Sequence, residues 1–311
     1  MRRRDFLRAL GGAAGGAALP RLAAAAGSHD VLVERWSWAM GQPVHLQLFA
    51  RSEAAGYEAA QAALAELRRV EGALSLFDDA SDLSELNRRA GRGSVAVGDD
   101  LRAVLAAAER FRRLTGGAFD PAVEPLMRAW GFHRPRSAPP TTRELSEARG
   151  AVLAAQIRFD GRRGALSSAA TQLDLGGIGV GYGLDRAVAV LRDAGIRRAL
   201  LDVSGDCLAL GSPPGEVGWR VEVADPDRQD RVIAATRLRD AALATSSNLV
   251  SVVRYGRSVR GHVMDPATGY PAARRRQVTV VARTGLEADA LSTAMLVAGR
   301  PLPGVVRSFV R

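Results

Sequence analysis

Gly176, Gly177, Gly179 and Gly181 crowd into six residues between an apolar Leu173-Asp174-Leu175 and a stretch of helical period that begins at Tyr182. Glycines this dense belong where a backbone turns tightly or comes very close to something else. After a predicted strand and before a predicted helix over Tyr182–Ala194, the turn would let backbone N–H groups approach a diphosphate, with the helix N-terminus helping to hold its charge. The spacing is G-x-G-x-G rather than the dinucleotide fingerprint, and no Walker lysine follows, so a simple tight turn stays open as the alternative.

The elements around this turn limit the fold class. Val31–Trp38 and Val44–Phe49 alternate as two strands joined at Met40, Gly41, Gln42 and Pro43. Ala54–Glu71 and Asp100–Leu114 carry apolar residues at helical spacing, and Thr141 with Glu144 reads as a capping box after a proline- and arginine-rich connection over Arg134–Pro140. A strand at Ala199–Val203 and further antiparallel strands through Val253 complete the order. Hairpins mixed with helices predict an α+β fold with largely antiparallel sheets and packed helices, not a doubly wound parallel sheet. With 311 residues, 47% of them hydrophobic, the chain is long enough to bury a sizeable core.

At the N-terminus, Arg3, Arg4, Asp5, Phe6, Leu7 and Arg8 spell the twin-arginine export pattern, followed by a weakly apolar Ala/Gly stretch. Small residues at Ala23–Ala26 predict cleavage near Ala26, giving a leader over residues 1–26 and a folded domain over 31–311. Export in the folded state to the periplasm or cell envelope follows, with membrane association left open. The leader carries five arginines against one aspartate, so the net charge of +10 falls to +6 without it. Every basic residue is arginine, which speaks of codon usage more than of a polyanionic partner. Arg274, Arg275 and Arg276 read as a solvated loop, and no nucleic-acid partner is expected. The single Cys207 excludes an internal disulfide.

Four more segments could carry chemistry. Asp289 and Thr293 lie four apart in a helical run, which puts a carboxylate and a hydroxyl on one face, as two hard ligands for Mg2+ or as ordinary helix hydroxyl and capping groups. His262 opens His262-Val263-Met264-Asp265-Pro266, where it is either a base for a hydroxyl proton or a structural histidine. Thr115–Phe132 combines Gly116, Gly117, Phe119, Asp120, Pro121 and Trp130 in an irregular stretch that could line a flat ring or simply pack. Leu74–Asn87, with Phe77, Ser81 and Ser84, is equally ambiguous alone.

Taken in order, from Met40-Gly41 through Leu74–Asn87, Thr115–Phe132, Leu173–Asp185, Thr245-Ser246, His262–Pro271 and Ala288–Ala294, these segments resemble the ApbE family of FAD:protein FMN transferases. The resemblance runs from Met40 to about Gly299 and implies a T-fold-like architecture. It implies FAD as substrate, with its rings among Met40, Phe77, Ala118, Phe119, Asp120, Asp174 and Val263. It further implies Mg2+ held by Asp289, Thr293 and a backbone carbonyl near Gly177, and His262 as the base. The implied partner is an acceptor protein carrying a threonine that takes FMN, such as an FMN-carrying subunit of a membrane redox complex. Four departures stand out: Val180 where relatives often have lysine or glutamate, Asp202–Asp206 in place of N-x-G-G-D, Ser247 where glycine is common, and Ser292 at a place that can be acidic. Rival outcomes are hydrolysis of FAD to FMN and AMP, and a non-catalytic periplasmic FAD carrier, against which His262, Asp289 and Thr293 argue. A flavin oxidoreductase lacks any further redox group or nicotinamide fingerprint.

Overall fold

The computed structural model describes residues 30–228, 230–272 and 277–310; the leader and Arg274–Arg276 lie outside them. The chain opens with a hairpin of β1 (Val31–Ala39) and β2 (Gln42–Ala50), closed by Met40 and Gly41 alone. Both turn residues are left-handed, with φ of 57° and 68°, the two-residue turn whose twist suits antiparallel strands. Helices α1 (Glu53–Leu74) and α2 (Asp82–Arg88) follow, capped by Ser52 and Ser81. Next come β3 (Val95–Ala96), α3 (Asp99–Leu114), α4 (Glu124–Ala129) and α5 (Thr142–Leu153), the last opening on the expected Thr141/Glu144 capping box. β4 (Ile157–Asp160) and β5 (Arg163–Leu166) join β3 in a small sheet.

Helix α6 (Gly179–Asp193) leads into β6 (Arg198–Val203), β7 (Asp206–Leu210), the hairpin β8 (Trp219–Ala224) and β9 (Val232–Leu238), and then β10 (Ala241–Ser247). The chain ends with the hairpin β11 (Val252–Tyr255) and β12 (Ser258–Gly261), then β13 (Gln277–Ala282), α7 (Gly285–Ala298) and β14 (Arg307–Val310). The main sheet has seven strands in the order β1-β2-β6-β7-β10-β13-β14, every pair antiparallel. The α+β expectation therefore holds.

Alternation along the strands divides the sheet into two faces. Leu46, Leu201, Ala244 and Val280 meet helices α1, α6 and α7 in the principal core. Phe49, Leu200, Leu243 and Val281 point the other way and are covered by Trp219, Val221 and Leu238 of the β8–β9 hairpin. Strands covered on both faces carry near-continuous apolar runs, as in β13, where every residue is buried.

The strand expected at Leu173–Leu175 is irregular coil instead. The buried Asn87 side chain replaces a strand partner: its Nδ2 donates to Leu173 O at 2.9 Å, and Leu173 N–H donates back to Asn87 Oδ1 at 2.8 Å. Asp174 N–H is satisfied by Pro121 O at 2.8 Å. The turn is thus pinned from α2 and from the loop before α4, which satisfies the peptide groups a sheet would otherwise pair.

Candidate active site

The glycine turn, the ends of β7 and β10, and the start of α7 meet on the helix-covered side of the sheet. Helices α6 and α7 touch there backbone to backbone. A Cβ on Gly181 would overlap the Gly285 carbonyl and come within 2.8 Å of Asp289 Cβ. Gly181 N–H donates to Asp289 Oδ2 at 3.0 Å, while the Asp185 carboxylate accepts Gly285 N–H at 2.7 Å and Leu286 N–H at 3.0 Å. The first turn of each helix is therefore held by a carboxylate, which its free N–H groups favour.

A cleft of about 360 Å³ opens over this contact. Phe77, Ala118, Phe119, Asp120, Asp174, Gly177, His262, Val263, Asp289 and Thr293 all line it, so segments far apart in sequence converge as expected. Met40 is not among the lining residues. It sits at the hairpin tip, its sulfur 3.6 Å from where a Gly183 Cβ would be, while Gln42 reaches the cleft.

Two further groups stand beside Asp289 and Thr293. Asp206, the first residue of β7, lines the cleft and accepts Thr245 N–H at 2.9 Å. Ser246, near the end of β10, meets Thr293 Oγ1 at 3.0 Å and Ser292 Oγ at 2.8 Å, and Ser292 Oγ donates to Asp289 O at 2.9 Å. This hydroxyl chain fixes the orientation of Thr293. Thr293 Oγ1 also lies 2.9 Å from where a Cβ on Gly177 would stand, a space left by the missing side chain. Burial pushes the Asp289 carboxyl up to about 7, against the Gly181 hydrogen bond and with a smaller push from Asp185. Burial and the Asp289 charge drive Asp206 upward as well. Two carboxylates this close repel each other when both are charged, which disfavours their full ionisation.

His262 enters from the far wall, with Phe132 edge-on at 6.4 Å. Burial holds its pKa below the ordinary value, against the pull of the Ser251 backbone, and its Nδ1 is buried with no partner among the described residues. Near the mouth, Glu124, His133 and Asp174 bring ligand-type atoms within 4.8 Å of one another. Glu124 is fully buried, and its two oxygens are already taken by Arg128 Nε and His133 Nδ1, each at 2.5 Å, so the group is an ion-paired network. Sequence reasoning missed Asp206 and this network, and placed Ser246 in a family segment without giving it a role. Asp206 had been noted only as part of a variant motif, and Glu124 and His133 are nine apart, a spacing with no helical or strand meaning.

Residues 40–303 match the ApbE family. The chain belongs to the ApbE family. The "FAD:protein FMN transferase" of Treponema pallidum is 32% identical over 269 residues, spanning 78% of this chain and 74% of that protein. The protein of the same name from Vibrio cholerae is 29% identical over 238 residues, 75% and 71% of the two chains. Among solved structures, the ApbE protein of Thermotoga maritima superposes with a TM-score of 0.79 at 29% identity, covering 86% of this chain and 87% of that one. The flavin transferase ApbE of Vibrio cholerae gives 0.74 at 25% identity over 90% and 97%.

The ApbE cleft therefore holds an acid that the fold disfavours when charged. Because the folded-state pKa of Asp289 lies above its unfolded value, the penalty grows as pH rises from about 4 and is fully present above about 7. In metal-free buffer at pH 8, Asp289→Asn should keep the Gly181 hydrogen bond and gain stability on the order of 2–4 kcal/mol. The gain should vanish toward pH 4. Urea denaturation at the two pH values measures it; an unchanged or lower stability at pH 8 would contradict the buried-charge reading.

Proposed function

We propose that this ApbE protein transfers FMN from FAD to a threonine of a partner protein through a phosphoester bond, with Mg2+ and with release of AMP. The observation that carries this is the meeting of Asp289 and Thr293 on α7 with Gly177 of the glycine turn, in one cleft with His262. Relatives of similar length bear the transferase name.

Asp289, Thr293 and the Gly177 carbonyl would hold Mg2+, with Asp206 adding charge; its chemistry is to neutralise the diphosphate of FAD. The donor set suits it, being hard oxygens with two carboxylates in surplus. Phe77, Ala118, Phe119 and Val263 give apolar walls for the rings, while backbone N–H groups of the turn face phosphate. His262 Nδ1 takes the proton of the acceptor threonine as its oxygen bonds to the FMN-side phosphorus and the bond to the AMP phosphate breaks. Depressed basicity keeps that imidazole neutral near pH 7, the state a base requires. The partner we favour is an FMN-carrying subunit of a membrane redox complex.

If His262 is the base, His262→Ala should bind FAD nearly as well as the parent but transfer FMN about 100-fold more slowly or worse. Single-turnover assays with FAD, Mg2+ and a threonine-bearing acceptor, read by the mass of the acceptor, decide this. Unchanged transfer would remove His262 from the mechanism, and free FMN without labelled acceptor would favour hydrolysis.

We also infer that the Arg3-Arg4 leader exports the folded protein to the periplasm or envelope, where such an acceptor would be met. Replacing both arginines by lysine should leave the precursor in the cytoplasm on fractionation. Normal export of that variant would count against the twin-arginine route.

A further inference from the structure

The charge balance of the cleft is unusual for a site that takes a diphosphate. Four carboxylates line it, those of Asp120, Asp174, Asp206 and Asp289, yet no arginine or lysine does so among the described residues. This holds in a chain with 43 basic residues. Val180 also lines the cleft and brings no charge to it. Among the described residues only two lining side chains can be positive, His133 and His262. Burial holds His262 neutral.

His133 differs in having a carboxylate partner. Its Nδ1 meets Glu124 Oε2 at 2.5 Å, and Glu124 is fully buried with Arg128 on its other oxygen. Phe77 stands edge-on to the imidazole at 5.2 Å. Burial alone would lower the His133 pKa, but the Glu124 hydrogen bond, with the charges of Asp174 and Glu124, outweighs it and raises the value above the ordinary one. The glycine turn links this corner to the other half of the site: Asp174, beside His133, and Gly177, beside Thr293, are three residues apart.

We infer that His133, gripped by buried Glu124, serves as the side-chain cation of this cleft and donates a charge-assisted hydrogen bond to a diphosphate oxygen of FAD. The inference rests on the FAD-dependent reading above. His133 would meet the diphosphate on the side away from Asp289 and Thr293, leaving His262 free to act as base. An ion-held imidazolium is pre-oriented, and a charge-assisted hydrogen bond to phosphate is among the stronger polar contacts.

The test uses the full mature chain and two probes, FAD and ADP, which shares the diphosphate and adenosine but lacks the flavin. His133→Gln should weaken both by the same factor, about 10-fold or more. It should raise the KM for FAD with little change in kcat, and His133→Arg should restore most of the affinity. Equal affinities in the parent and His133→Gln would overturn the inference, as would a loss confined to FAD, which would place the contact on the flavin ring. Melting temperatures within a few degrees of the parent show that the variants are folded. If His133→Gln is not, His133→Arg alone decides: parental ADP affinity supports the inference, and lost ADP affinity in a folded His133→Arg rejects it. Failure of the parent to bind FAD would instead sink the functional reading itself.

Discussion

Two helices of this ApbE protein meet with no side chain between them, and the rest of the site depends on that contact. Gly181 and Gly285 allow α6 and α7 to approach at the level of their backbones, and the Gly181 N–H then caps the Asp289 carboxylate across the interface. Asp185, one turn further along α6, ties the first peptide groups of α7. As a result α7 has a fixed register relative to the glycine turn, which places Thr293 against Gly177. A larger residue at either glycine would separate the helices and remove the hydrogen bond together.

The same closeness sets the electrostatics. Asp289, buried, and Asp206, half-buried, lie near each other because β7, β10 and α7 converge, and the pKa of each is pushed upward. Such an arrangement costs stability in the absence of a cation, a trade that marks sites shaped by function rather than by folding. Across the cleft the basicities of two histidines are driven apart: burial lowers the pKa of His262, whereas Glu124 outweighs burial and raises that of His133. Opposed environments of this kind divide roles between chemically identical groups.

Much of this was legible in the sequence. The hairpin at Met40-Gly41, the Thr141/Glu144 cap and the antiparallel character of the sheet follow from local patterns, since each is decided by neighbouring residues. The ordered segments found the cleft because their residues cluster once folded, even where each alone was ambiguous. What escaped was set by tertiary contacts. Leu173-Asp174-Leu175 has the pattern of a strand, but Asn87 satisfies its peptide groups from 86 residues away. Met40 occupies a left-handed turn position and packs over Gly183 outside the cleft lining. Asp206 opens a strand, where an aspartate ordinarily reads as a turn residue, and only the pairing of β7 with β10 shows which face it serves.

The central claim is that the helix-to-helix contact at Gly181 holds the chemical groups in register, and Gly181→Ala tests it most directly. Its added methyl group would displace α7 and with it Asp289. The account predicts a folded variant, judged by circular dichroism, whose rate of FMN transfer from FAD falls about 100-fold, because misplacement by an ångström is enough for such a loss. A variant that transfers FMN at the parental rate would contradict it.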